Sequence, residues 1–120
     1  MYDRPTPAEL NEACDRFDAS LGPDPNPAQK YEARVAANAR ALIERQQRQQ
    51  PQQDAAELER LRALLGEDGD LAALNRRLAE AIAERTLALA AVADHLWATT
   101  LAKVAVDQPG YAAYRAETGT

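Results

Sequence analysis

The stretch DLAALNRRLAEAIAERTLALAAVADHLWATTLAKVAVDQPG, residues 70–110, decides the fold class. In its first half Leu71, Leu74, Leu78, Ala81 and Ile82 recur at three- and four-residue spacing, while Arg76, Glu80 and Glu84 fall on the opposite side. That is the apolar stripe of an amphipathic helix, and Asp70 supplies its N-cap. In the second half Leu89, Val92, Leu96, Trp97, Leu101 and Val104 cover a wider arc, which predicts the central helix of the fold. Pro109-Gly110 ends it. Alternation of period two is missing here and in the rest of the chain, so no strands are expected.

The same signals extend towards the N-terminus. Thr6-Pro7-Ala8-Glu9 places a hydroxyl at the N-cap, proline in the first turn and a carboxylate three residues on, the pattern of a capping box. Leu10, Ala13, Cys14, Phe17 and Leu21 form the stripe that follows, and Gly22 stops it. Pro23-Asp24-Pro25-Asn26-Pro27 reads as a rigid connector, since each proline disfavours helix in the residue before it. Asn26, Pro27 and Gln29 repeat the cap and predict a second helix over about 27–49, with Tyr31, Val35, Ala39 and Leu42 as its apolar stripe. The glutamine-rich run Gln46–Gln53, broken by Pro51, reads as a solvated helix end and turn. Asp54-Ala55-Ala56-Glu57 then opens a short third helix with Leu58, Leu61, Arg62 and Leu65 on one face and Gly66 at its end. The expectation is an all-α chain: about five helices in one compact bundle over residues 1–110, with an irregular C-terminal tail over 111–120.

Composition narrows the function classes. The apolar fraction is 46%, but 27 alanines supply about half of it, so the core is thin for 120 residues. Self-association or a partner would add burial. The net charge of -5 works against binding to nucleic acid or to an anionic membrane surface. The N-terminus carries no apolar run of signal-peptide length, and no apolar run of membrane-spanning length is evident, which points to the cytoplasm. Cys14 is the only cysteine, so no intrachain disulfide is expected.

No constellation of residues announces catalysis. His95, the single histidine, lies well off the apolar arc and is expected at an exposed or rim position; Cys14 and Ser20 show no sign of being nucleophiles it would activate. Gly66-Glu67-Asp68-Gly69-Asp70 carries three carboxylates, which repel phosphate, and lacks the spacing of a calcium loop. Glu-x-x-His pairs for a di-iron site do not occur. Lys30, Arg34, Arg40, Arg45 and Arg48 scatter around their helix instead of forming a basic face. No catalytic residue, cofactor or metal is therefore expected. More informative are polar residues on or beside the stripes: Arg34 and Asn38 flanking Tyr31, Val35 and Leu42; Asn75 beside Leu71 and Ile82; and Lys103 with Asp107 at the end of the central helix. These are either interhelical hydrogen bonds and ion pairs or a partner or ligand site.

MYDRPTPAELNEA (1–13), ARVAANARALIER (33–45), LERLRALLG (58–66), DLAALNRRLAEAI (70–82) and LAKVAVDQPGY (101–111) together resemble a bacterial family of small helical proteins known as a domain of unknown function. The resemblance spans nearly the whole chain in order. Members of that family are typically encoded beside kinases resembling aminoglycoside phosphotransferases and beside acyl-CoA dehydrogenases, and one branch is the small accessory component of a hydroxyacyl-CoA kinase of levulinate catabolism. What this implies is a non-catalytic accessory subunit whose partner is such a kinase. It places the family pattern on Arg34, Asn38, Lys103, Asp107, Pro109 and Tyr111. Two alternatives stand beside it: a small acyl-CoA or acyl-group binding protein using Arg34 and Lys103, and an independent enzyme.

Overall fold

In the computed structural model, which describes residues 2–120, the chain forms five α-helices, with no strand among the described residues. They are α1 (Pro7–Ser20), α2 (Pro27–Leu65), α3 (Leu71–Glu84), α4 (Leu89–Asp107) and α5 (Ala112–Thr118). The all-α class is as expected, but the partition differs in two places. The second and third expected helices are one continuous α2 of 39 residues, and the expected irregular tail is helical from Ala112 to Thr118.

Local chemistry explains the helix starts. Thr6 and Glu9 form the full capping box: the Thr6 backbone N–H donates to Glu9 Oε2 at 2.6 Å, and the Glu9 N–H donates to Thr6 Oγ1 at 3.3 Å. Asn26 and Gln29 make the same reciprocal pair at the start of α2, both bonds 2.9 Å. Asp70 caps α3 by accepting from the Ala73 N–H at 2.8 Å. Gly66, in the left-handed region at φ 67°, closes α2 with its N–H on the Arg62 carbonyl.

Pro51 does not end the helix. It lacks an N–H and so cannot complete the bond to the carbonyl four residues back, but the glutamines around it hold the helix through. Gln46 is buried rather than solvated, Gln50 donates to Asp54 at 3.2 Å, and Gln53 donates to the backbone carbonyl of Ala102 at 3.2 Å. The Asp54–Glu57 cap consequently never forms.

The chain divides into two units, residues 2–49 and residues 50–120, with α2 contributing to both. In the first, Cys14 of α1 is buried and its thiol faces the Ala36 carbonyl at 3.7 Å. Arg40 donates to Asp15 and Asp18 of α1 at 3.2 and 2.6 Å. The buried α2 positions here are Ile43 and Gln46, while Tyr31 and Val35 of the expected stripe are exposed, Tyr31 by 62%. In the second unit Leu61 of α2 and Leu74 and Leu78 of α3 form the core, with Leu58, Leu64, Leu65, Leu71 and Leu87 packed against it. Leucine rather than alanine does the filling, as side-chain volume requires.

The apolar α4 departs from its expected role. Only about a fifth of it is buried, through Val92, His95 and Val106, and it is long and apolar enough to meet the minimum composition of a membrane span, which the sequence reading did not anticipate. Asp94 and Lys103 interrupt that apolar character within the helix.

Candidate functional site

Polar side chains collect in the second unit where α2 and α4 meet. Gln53 reaches Ala102 and Arg60 reaches Thr99 (Nη2 to Oγ1, 3.2 Å), so advancing along α2 means retreating along α4, and the two helices run antiparallel. The α4 residues on this seam are Val92, His95, Thr99, Ala102 and Val106, spaced alternately three and four apart. Gln53, Glu57, Arg60 and Leu64 of α2 follow the same spacing. Two helices that would ordinarily meet through leucine meet here largely through amide, carboxylate, guanidinium and imidazole groups.

His95 sits in this seam, 4% exposed. The expected exposed or rim position is thus corrected: the face of α4 that turns inward is the one carrying partners for Glu57 and Arg60, not the one richest in leucine. Burial pushes the imidazole below its ordinary value, and the Arg60 guanidinium pushes in the same direction, while Glu57 opposes them. His95 is therefore neutral at pH 7, and its Nδ1 has no hydrogen-bond partner. The Arg60 Nε is likewise buried without one.

Glu57 is equally buried, and burial alone would raise its carboxyl value. Hydrogen bonds more than offset this, among them the one from the Asn75 amide to Oε1 at 3.0 Å, and the carboxyl ends below its usual range. Asn75 also donates to the Leu71 carbonyl at 3.0 Å, which fixes its rotamer from within α3. Glu57 is thus a charged acceptor inside the unit, held by a residue of a third segment.

Imidazole, carboxylate and guanidinium together are a set capable of proton transfer, but transfer needs a substrate within hydrogen-bond reach. Two surface cavities of this unit are lined by other residues: one of about 490 Å³ by Ile82, Arg85, Leu87, Leu89 and Val92, the other of about 360 Å³ by Trp97, Thr100, Leu101, Val104, Tyr111, Ala113, Tyr114 and Glu117. Among the described residues no cluster of three or more His, Cys, Asp or Glu is placed to hold a metal ion. The contacts of Gln53 with Ala102 and of Arg60 with Thr99 set the register of α2 against α4.

The residues singled out by sequence fall in different surroundings. Arg34 and Asn38 lie exposed on α2 in the first unit, the Arg34 guanidinium 6.0 Å from the centre of the Tyr31 ring. Asn75 belongs to the buried seam. Lys103 is half-buried, Asp107 is exposed at the last position of α4, and Tyr111, 58% exposed, precedes α5 and lines the smaller cavity. Missed by sequence reasoning were Glu57, Arg60 and His95. Their three-and-four spacing, continuing the leucines of α2 and the valines of α4, was the available signal, hidden by the expectation of a helix break at Pro51.

Neither a curated protein nor a solved structure matches the chain. The family model of the Domain of unknown function (DUF6285) matches residues 23–111, from the connector before α2 to the residue before α5. The chain belongs to that family.

Proposed function

We propose that this chain is a non-catalytic accessory or interaction subunit of a kinase that resembles aminoglycoside phosphotransferases and acts on hydroxyacyl-CoA or related substrates in the cytoplasm. The observation that carries the docking role is the apolar surface of α4 and the segment after it. Leu89 is 82% exposed, Trp97 54%, and Leu96 and Tyr111 are comparably open. Large apolar side chains gathered on one helix and its neighbour are a common mark of a protein–protein contact. Support for the kind of partner comes from the family resemblance alone. The polar seam contributes indirectly, because a register fixed by Glu57, Arg60 and His95 presents Leu96 and Trp97 in one orientation.

Co-expression with the neighbouring kinase tests this reading. The two chains are expected to co-purify, and Leu96→Glu or Trp97→Glu to abolish co-purification while circular dichroism stays that of the parent. Failure to co-purify together with unchanged kinase activity overturns it.

A second reading, a small acyl-CoA or acyl-group binding protein, is favoured by the larger cavity. Four aliphatic side chains there surround Arg85, a cation with no ion pair among the described residues and held at φ 58° where α3 ends. Calorimetry with acyl-CoA thioesters on the isolated chain distinguishes it: no heat across chain lengths removes this reading and leaves the first.

A further inference from the structure

We infer that the groove between α4 and α5 is a receptor for an arginine side chain presented by a protein partner. Trp97, Tyr111 and Tyr114, half of the chain's aromatic residues, line this one groove of about 360 Å³ together with Glu117. Packing of α5 on α4 does not consume two of these rings, since Trp97 is 54% and Tyr111 58% exposed. Neither lysine nor arginine lines the groove, and Glu117 forms no ion pair among the described residues. Aromatic faces beside an uncompensated carboxylate attract a cation by two mechanisms at once, ring quadrupole and net charge. Leu101, Val104 and Ala113 supply apolar wall for the aliphatic stem of the same side chain.

Arginine fits better than lysine. Its flat guanidinium stacks on a ring while its fork of donors meets a carboxylate, and it is the more weakly hydrated of the two cations. The openness of the groove decides between a free cation and a side chain. Pockets for free small molecules cover most of the ligand, whereas rings left more than half exposed need a partner surface to complete the cover. The inference rests on the docking reading only in taking the cation to be carried by a protein.

Trp97 is the single tryptophan, so its fluorescence reports on the groove directly. The test titrates the full chain with acetyl-Leu-Arg-Leu-amide, with the uncharged citrulline counterpart, and with agmatine as a free guanidinium. A saturable change is expected with the arginine peptide, with the citrulline peptide about five-fold weaker. Glu117→Gln is expected to remove most of that difference and to leave citrulline binding unchanged. No saturable change, equal affinity for both peptides, or an arginine affinity indifferent to Glu117→Gln overturns the inference. Agmatine binding more tightly than the peptide overturns the choice of a protein-borne cation. Any of these failures leaves co-purification with a kinase unaffected, so the two proposals fail separately.

Discussion

Replacing His95 by leucine tests the polar seam at its least satisfied point. The imidazole is buried, neutral, and has an Nδ1 that nothing in the fold bonds. A buried polar nitrogen without a partner costs about 1–3 kcal/mol, and leucine of similar bulk removes that cost while keeping the volume. At pH 7.5 the variant is therefore expected to be at least as stable as the parent. The pH dependence is more diagnostic. In the folded state the His95 value lies below 6.5, while in the unfolded chain it titrates near 6.5. Below pH 6.5 the unfolded state thus binds more protons, and the parent loses stability as pH falls until the folded value is reached, at a slope that cannot exceed about 1.4 kcal/mol per pH unit for one proton. Glu57 faces His95 and also titrates low, but its contribution, present above pH 4.5 and lost as pH falls through its folded value, lies below the range from pH 7.5 to 5 in which the two proteins are compared. Asn75 and Thr99 do not titrate. Urea unfolding of both proteins between pH 7.5 and 5, followed by Trp97 fluorescence, measures the difference. A parent-minus-variant stability that is flat over that range would refute the buried neutral histidine and the seam built around it.

Asn75→Ala removes a hydrogen bond to a buried carboxylate and is expected to cost about 1.5–3 kcal/mol in the same unfolding assay, with Asn75→Asp worse because it sets a second negative charge against Glu57. Leu61→Ala empties the centre of the second unit, where Leu61 is wholly buried, and is expected to cost about 2–5 kcal/mol; a loss under 1 kcal/mol would mean that Leu74 and Leu78 close the gap. Pro51→Ala restores the missing N–H of α2 at an exposed position and is expected to raise the melting temperature, with up to about 3 kcal/mol available from propensity. A melting temperature that falls instead would show that neighbouring side chains depend on the geometry proline imposes.

Helix starts and helix content were legible because their causes are local. A capping threonine and a glutamate three residues on specify a first turn whatever the rest of the chain does, and Thr6–Glu9, Asn26–Gln29 and Asp70 all cap as their spacing predicts. The errors arose where a long-range contact overrode a local preference. Pro51 signals a break, yet Gln53 on Ala102 and the leucines after it hold the helix straight through the signal. Once that break was assumed, Glu57 became a cap and lost its place in the series Gln53, Glu57, Arg60, Leu64. His95 then had no visible reason to be inside, since an imidazole is buried only where something compensates it, and the compensating groups were assigned to another helix face. The same inversion explains the surface. Alpha-helical α4 was expected to bury its leucines, but a helix has one inward face, and the seam claims it for Val92, His95, Thr99, Ala102 and Val106. Leu89, Leu96 and Trp97 are left outside as a consequence, so the buried polar contacts and the exposed apolar surface are two sides of one choice of face. A composition count cannot reveal that choice, because the same residues on α4 rotated by a third of a turn would give a conventional leucine core and nothing left for a partner to cover.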